Sequence, residues 1–222
     1  MGASREMIDA VKSGDVAKVK ALLETDAALV NAQAESGESA ILLATYYGRK
    51  EVAEVLLATG AELDIFEASA VGHAGRITVL LRDHLARVNS YASDGWTPLH
   101  LAAFFGHAEA AKILVAQGAN VEALSRNSTA NTPLHAAVAG RKTDLVKLLL
   151  DSGANVNAQT GNGWRPLHLA AHGGHKELTE TLLGKSAEVN AKNGEGQTPL
   201  TIAIEKSYEG VADLLRQHAG TT

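Results

Sequence analysis

The stretch Thr97-Pro98-Leu99-His100-Leu101-Ala102-Ala103-Phe104-Phe105-Gly106-His107 decides the fold, because its opening recurs at Thr132-Pro133-Leu134-His135, Arg165-Pro166-Leu167-His168 and Thr198-Pro199-Leu200-Thr201. The prolines lie 35, 33 and 33 residues apart, the period of one helix–loop–helix unit in a stacked array. Each residue in the opening has a mechanical reason. Threonine accepts from an orphan amide at a helix start, and proline suits the first helical position because it has no N–H to leave unpaired. A short apolar helix follows, with alanines that let neighbours approach closely. Gly106 permits a tight turn into a second helix carrying Ala110, Ile113 and Leu114. Gly118 is placed to end that helix in a left-handed conformation. Ala119-Asn120-Val121 then leads into an extended hairpin arm, an ending repeated at Gly153-Ala154-Asn155-Val156-Asn157-Ala158.

These positions agree in register over several copies. The Thr-Pro-Leu-His openings, Gly-His at 106–107 and 174–175, and the run at 153–158 resemble ankyrin repeats along nearly the whole chain. The resemblance implies an all-α repeat solenoid with short β-hairpin fingers projecting from one edge. It also implies that His100, His135 and His168 hydrogen-bond between adjacent fingers. Phe104-Phe105-Gly106-His107, the long Asn-bearing finger and the paired opening units are similar to ankyrin proteins encoded by bacteria.

Aligning the second-helix leucines (Leu22, Leu56, Leu80, Leu114, Leu149, Leu182, Leu215) gives seven units with spacings of 34, 24, 34, 35, 33 and 33. The expected domain is a single array over 1–222, with units near 4–33, 34–63, 64–91, 92–124, 125–159, 160–192 and 193–222. The short spacing leaves no room for a finger between Leu57 and Asp64, so the third unit starts directly near Asp64-Ile65-Phe66-Glu67. Units one and two match units three and four at an offset of 58: Val30-Asn31 with Val88-Asn89, Ser39-Ala40 with Thr97-Pro98. Two extra residues around Ser125–Asn131 lengthen one finger. Charged outer faces on the first unit (Arg5, Glu6, Lys12, Asp15, Lys18, Lys20) and the last (Glu205, Lys206, Glu209, Asp213, Arg216) are expected to act as caps, closing a complete, monomeric array.

Composition excludes several functions. Across 222 residues, 20 Lys and Arg against 25 Asp and Glu leave a net charge of −5 with no basic block, which argues against nucleic acid. No apolar run approaches the ~18 residues that span a bilayer, and no signal-peptide pattern opens the chain. Met1-Gly2 suggests myristoylation, but Glu6 stands where the motif needs Ser or Thr. With no cysteine there is neither disulfide nor thiolate metal site. The expectation is a cytoplasmic protein without cofactor or metal.

Function is expected where copies differ. The two residues after the paired alanines of the first helix are Tyr46 and Tyr47, Phe104 and Phe105, then His172 and Gly173; Trp96 and Trp164 precede the Pro-Leu openings. Six of the nine aromatic residues occupy these slots, although a core of Ala, Leu and Val does not need them. Exposed aromatics rimmed by polar groups anchor partners. Such a slot residue can also simply pack beneath the next finger. The expected binding face is therefore a concave palm of Tyr46, Tyr47, Trp96, Phe104, Phe105, Trp164 and His172, with Arg126 of the long finger as a charged contact and an unidentified protein as partner. The repeated residues, Thr97, Pro98, His100, Gly106, Thr132, Pro133, His135, Pro166, His168, Thr198 and Pro199, are expected to hold the stack.

Other chemistries are weaker. His168 and His172 are four apart with His175 nearby, which is ligand spacing on a helix and would suit a metal-dependent enzyme or sensor. The scaffold role of His168 and the Gly-Gly turn before His175 speak against it. No nucleophile elbow or phosphate-binding loop appears, so no enzyme is expected. A small-molecule pocket would sit at the missing finger, near Phe66 and Tyr91.

Overall fold

Helix starts show why the chain folds in short paired segments. Thr97, Thr132 and Thr198 accept from the amides of His100, His135 and Thr201, and Ser39 does the same for Leu42. Each capping residue satisfies one of the first free amides, and proline fills the next position in four helices. The computed structural model describes residues 2–219; Gly220 to Thr222, the tail of the expected last unit, and Met1 of the rejected lipidation motif lie outside the described residues.

Among the described residues there are fourteen α-helices: α1 (Gly2–Ser13), α2 (Val16–Thr25), α3 (Ala40–Tyr46), α4 (Lys50–Ala58), α5 (Ile65–Ala70), α6 (Ala74–Asp83), α7 (Pro98–Phe105), α8 (Ala108–Ala116), α9 (Pro133–Ala139), α10 (Thr143–Asp151), α11 (Pro166–His172), α12 (Lys176–Gly184), α13 (Pro199–Glu205) and α14 (Glu209–Gln217). Each odd-numbered helix packs on the even one that follows it. The odd helices also pack on one another in chain order, as do the even ones, so two helical layers run side by side. One pair breaks the pattern: α4 and α6 touch at most marginally.

The main core extends from Met7 to Leu215 and includes Leu56, Leu99, Leu114, Leu149 and Leu182. Fully buried alanines (Ala44, Ala102, Ala103, Ala136, Ala137, Ala170, Ala171) bring the odd helices close. Gly106 (φ +94°) and Gly118 (φ +88°) adopt the left-handed conformation that ends their helices at little steric cost. No helix among the described residues is long and apolar enough to cross a membrane.

The connecting loops differ from the expected β-hairpins. The described residues contain no strand, only one isolated antiparallel bridge between Gln33 and Ser39. Each loop is closed by a backbone bond instead: Ala34 N to Glu38 O (2.9 Å), Ala92 N to Trp96 O (2.8 Å), Thr160 N to Trp164 O (2.8 Å) and Asn193 N to Gln197 O (3.0 Å). In the long loop the bond joins Ser125 N to Asn131 O (2.8 Å), spanning two more residues, as the sequence spacing implies. The expected extended arm at Ala119–Val121 is a turn. Asn120 Oδ1 accepts from Glu122 N (2.9 Å) and Ala123 N donates to Asn120 O (3.1 Å). Asn155 repeats the turn with Asn157 and Ala158. A short polar side chain bonding its own backbone two residues on outcompetes a strand.

The missing loop is present as an absence: after the turn at Thr59–Gly60 that ends α4, residues 61–64 run straight into α5. Asp64 caps α5, its Oδ1 accepting from Phe66 N (2.6 Å) and Glu67 N (3.0 Å), while Glu67 Oε2 accepts from Asp64 N (2.9 Å). The 58-residue correspondence holds to the residue for α2 with α6, for α4 with α8, and for 3-10 turns at Ala27–Asn31 and Leu85–Asn89.

Candidate functional site

Three histidines set the platform on which the variable residues stand. His100 Nε2 donates to Asn131 O (2.9 Å), His135 Nε2 to Trp164 O (3.2 Å), and His168 Nε2 to Ala191 O (3.0 Å) and Gln197 O (3.2 Å). Their Nδ1 atoms accept from the amides of Thr97, Thr132 and Arg165. Both ring nitrogens are used, which fixes a neutral tautomer. Burial pushes His100 and His135 down to about 4 and lowers His168 as well, although each bond to a carbonyl opposes the shift. The implied bonding between adjacent loops is thus in place.

Loop tips add direct backbone links. Arg126 N donates to Gly95 O (2.8 Å), Gly161 N to Thr129 O (3.0 Å) and Gly194 N to Asn162 O (2.8 Å).

The variable residues gather on this platform in two groups. In the larger, Tyr46 meets Phe105 edge-on (ring centroids 5.5 Å apart), Phe105 meets Phe104 (5.1 Å), and Phe104 meets Trp96 (5.3 Å). Trp96 also lies 5.8 Å from the His100 ring. Edge-to-face contacts of this kind add about 1 kcal/mol each beyond area burial. In the smaller group Trp164 contacts His168 (6.0 Å) and His172 (5.5 Å). Among the described residues no ring contact joins the two groups.

Tyr46 is 36% exposed and Tyr47 50%. His172 is also exposed, whereas Trp96, Phe104, Phe105 and Trp164 are half-buried. The indoles and Phe104 lean on the main core, and Phe105 on a small cluster of Leu42, Ala70 and Leu101. These rings therefore have a packed side and an open side. Tyr47 has no ring partner and stands apart from the cluster.

Arg126 does not join the aromatic groups. Its guanidinium lies over Tyr91, 3.9 Å from the ring centroid. Sequence reasoning also missed what faces Tyr46. Its hydroxyl donates to Asp94 Oδ2, 48 residues away, and Asp94 Oδ1 accepts from Trp96 N (3.0 Å). Burial, then the bond to Asp94, drives the Tyr46 hydroxyl well above its ordinary range. Glu38, held below its ordinary value chiefly by the Ser36 hydroxyl, acts on Tyr46 from the neighbouring loop. The only sequence signal for this link is the missing loop, which clears the space between the loops at 34–38 and 92–96.

The alternative metal centre does not assemble. His168 has both nitrogens committed to the backbone, and among the described residues no three His, Cys, Asp or Glu side chains could hold a metal ion together. Where a small-molecule site was expected, at the missing loop, there is a cleft of about 290 Å³ lined by Asn31, Ser39, Asp64, Glu67, Arg76 and Arg87. Neither Phe66 nor Tyr91 lines it.

A family model for ankyrin repeats (3 copies) matches residues 65–160 and 139–222, together more than two thirds of the chain.

Proposed function

The chain belongs to the ankyrin-repeat family, whose members generally serve as protein–protein interaction modules and are typically non-catalytic, and on that premise we propose that this protein captures a partner protein on the face carrying its aromatic slots. In this reading the fourteen helices form one seven-unit array, and the aromatic face is its concave side. The observation that carries the reading is the run of four touching rings, Tyr46, Phe105, Phe104 and Trp96, each partly open to solvent. Other copies fill these positions differently, so the shared Ala and Leu core does not require rings there. Held by the stack beneath, they are ordered before a partner arrives, so docking sacrifices little side-chain freedom. The smaller group at Trp164 and His172 is a second anchor along the same face.

The test is affinity capture from native lysate with the Trp96→Ala, Phe104→Ala variant as control. Loss of Trp96 alone is expected to cost about 2 kcal/mol of binding, about thirtyfold in affinity. Both residues also lean on the core, so helical content by circular dichroism must stay unchanged for the comparison to count. Undiminished capture by a folded double variant ends the reading.

A further inference from the structure

The two aromatic groups differ in what surrounds them, and the difference points to the chemistry of the partner. Next to Trp164 in the chain stands Arg165, whose charge is already matched by Glu188 at 2.8 Å. Beside the larger group stand two carboxylates, Asp94 and Glu38, on the loops either side of the missing one. Among the described residues no lysine or arginine forms an ion pair with either of them. Lys12 acts on Glu38 through space without pairing to it. Their hydrogen bonds come from hydroxyls and an amide: Tyr46 and the Trp96 N–H for Asp94, Ser36 for Glu38. Those donors orient the carboxylates and leave each a net negative charge.

An open aromatic wall with uncompensated carboxylates at its edge is a site for a cation. Ring faces attract ammonium and guanidinium groups, guanidinium most often, and a nearby carboxylate adds charge and direction. The molecule already uses that chemistry next door, where Arg126 lies on Tyr91. Resting on the reading of the aromatic face as a binding surface, we propose that the Tyr46–Phe105–Phe104–Trp96 wall, with Asp94 and Glu38, receives an arginine or lysine side chain of the partner protein. The Trp164 group, beside the Arg165–Glu188 pair whose charges match one another, takes an apolar or neutral contact. The array therefore reads its partner with polarity: a basic residue toward α3, an uncharged one toward α11.

The two indoles make the test internal to one molecule. Full-length protein labelled with ¹⁵N is titrated with a capped hexapeptide containing two adjacent arginines, and with its norleucine counterpart, while both indole N–H resonances are followed. The Trp96 signal is expected to shift saturably with the arginine peptide and at least tenfold more weakly with the norleucine peptide. The Trp164 signal is expected to stay still. Asp94→Asn keeps the acceptor for the Trp96 amide and removes the charge; it should weaken the arginine peptide at least fivefold, and raising salt should do the same. Glu38→Gln gives a second neutralisation on a different loop, in case the first disturbs the Trp96 turn. Equal binding of both peptides, equal shifts at both indoles, no shift at all, or indifference to both neutral variants overturns the cation assignment. If that happens while partner capture is still lost in the Trp96→Ala, Phe104→Ala variant, the binding face stands and only its preference for a cation falls.

Discussion

The junction between α7–α8 and α9–α10 and the junction between α3–α4 and α5–α6 come from the same repeat, yet they are held by different means. At the first, His100 bonds the Asn131 carbonyl, Arg126 N bonds Gly95 O, and Asn127 Nδ2 reaches Asp94 O at 3.2 Å. Beneath them the backbones nearly touch: a Cβ on Gly140 would lie 2.1 Å from Phe104 O. At the second there is no loop, and Leu42 stands where the histidine would be. Arg76 Nε to Leu63 O (2.9 Å) ties α6 to the segment that follows α4, and α4 and α6 hardly meet. Removing one loop thus removes a buried side-chain bond and a tip-to-tip bond together, and the outer helices part. The third pair, counterpart of the first at 58 residues, carries a charged cleft where other pairs carry a loop. Loops and helices are one cooperative unit in this stack.

Three measurements would break or sharpen that contrast. Gly140→Ala should be the most damaging, because the added methyl meets backbone with no flexible side chain to yield; a loss of about 3 kcal/mol in denaturant stability is expected. A loss under about 1 kcal/mol would mean that the tight junction is not tight. Next, His100→Leu copies the residue that α3 carries and leaves the Asn131 carbonyl without its donor, at about 2 kcal/mol. It should also change the acid response. His100 and His135 titrate near 4 when folded against 6.5 for the free side chain, so the unfolded chain takes up the proton first. Their stabilisation is complete above 6.5 and is lost as pH falls toward 4. Unfolding curves from pH 7 to 4 should show a shallower decline in the His100→Leu variant.

The smallest effect belongs to the open junction and has the opposite sign. Burial, first, and the neighbouring Asp64 carboxyl push Glu67 up to about 7 from 4.5. Between those values the folded protein keeps a proton that the unfolded chain releases, so stability falls as pH rises from 4.5 to 7. Glu67→Gln preserves the capping geometry and should raise stability at pH 7 while leaving it unchanged near pH 4. An identical pH profile with and without the carboxyl would remove Glu67 from this account.

Much of this architecture was legible because its signals are local. Thr-Pro openings and the glycines that follow many of the helices act within one turn of chain, so they announce helix ends without tertiary help. The 24-residue spacing marked the absent loop, and the 35-residue spacing marked the long one. The hairpin arms were misread because Asn120 and Asn155 bond their own backbone, and such competition depends on side-chain geometry rather than on pattern. In the site, the aromatic slots were readable because the repeat defines positions that are free to vary. Their division into two groups, the seat of Arg126 on Tyr91 and the reach of Tyr46 to Asp94 were not. Each depends on how adjacent copies are offset in space, which the spacing of one chain does not give. The ionisation of Glu67 was hidden for a related reason: the capping pair Asp64-x-x-Glu67 is visible in sequence, but its burial is not.

Gly95, Thr129 and Asn162 each lend a carbonyl to the amide of the following loop, so the loops from residue 92 onward are tied in series and the first loop is not. A pull on the two ends of the molecule would find this asymmetry. Helices α1 to α4 would tear away as a block at modest tension, while the tethered remainder, resisting along its whole edge, would carry the strain until those links sheared in turn.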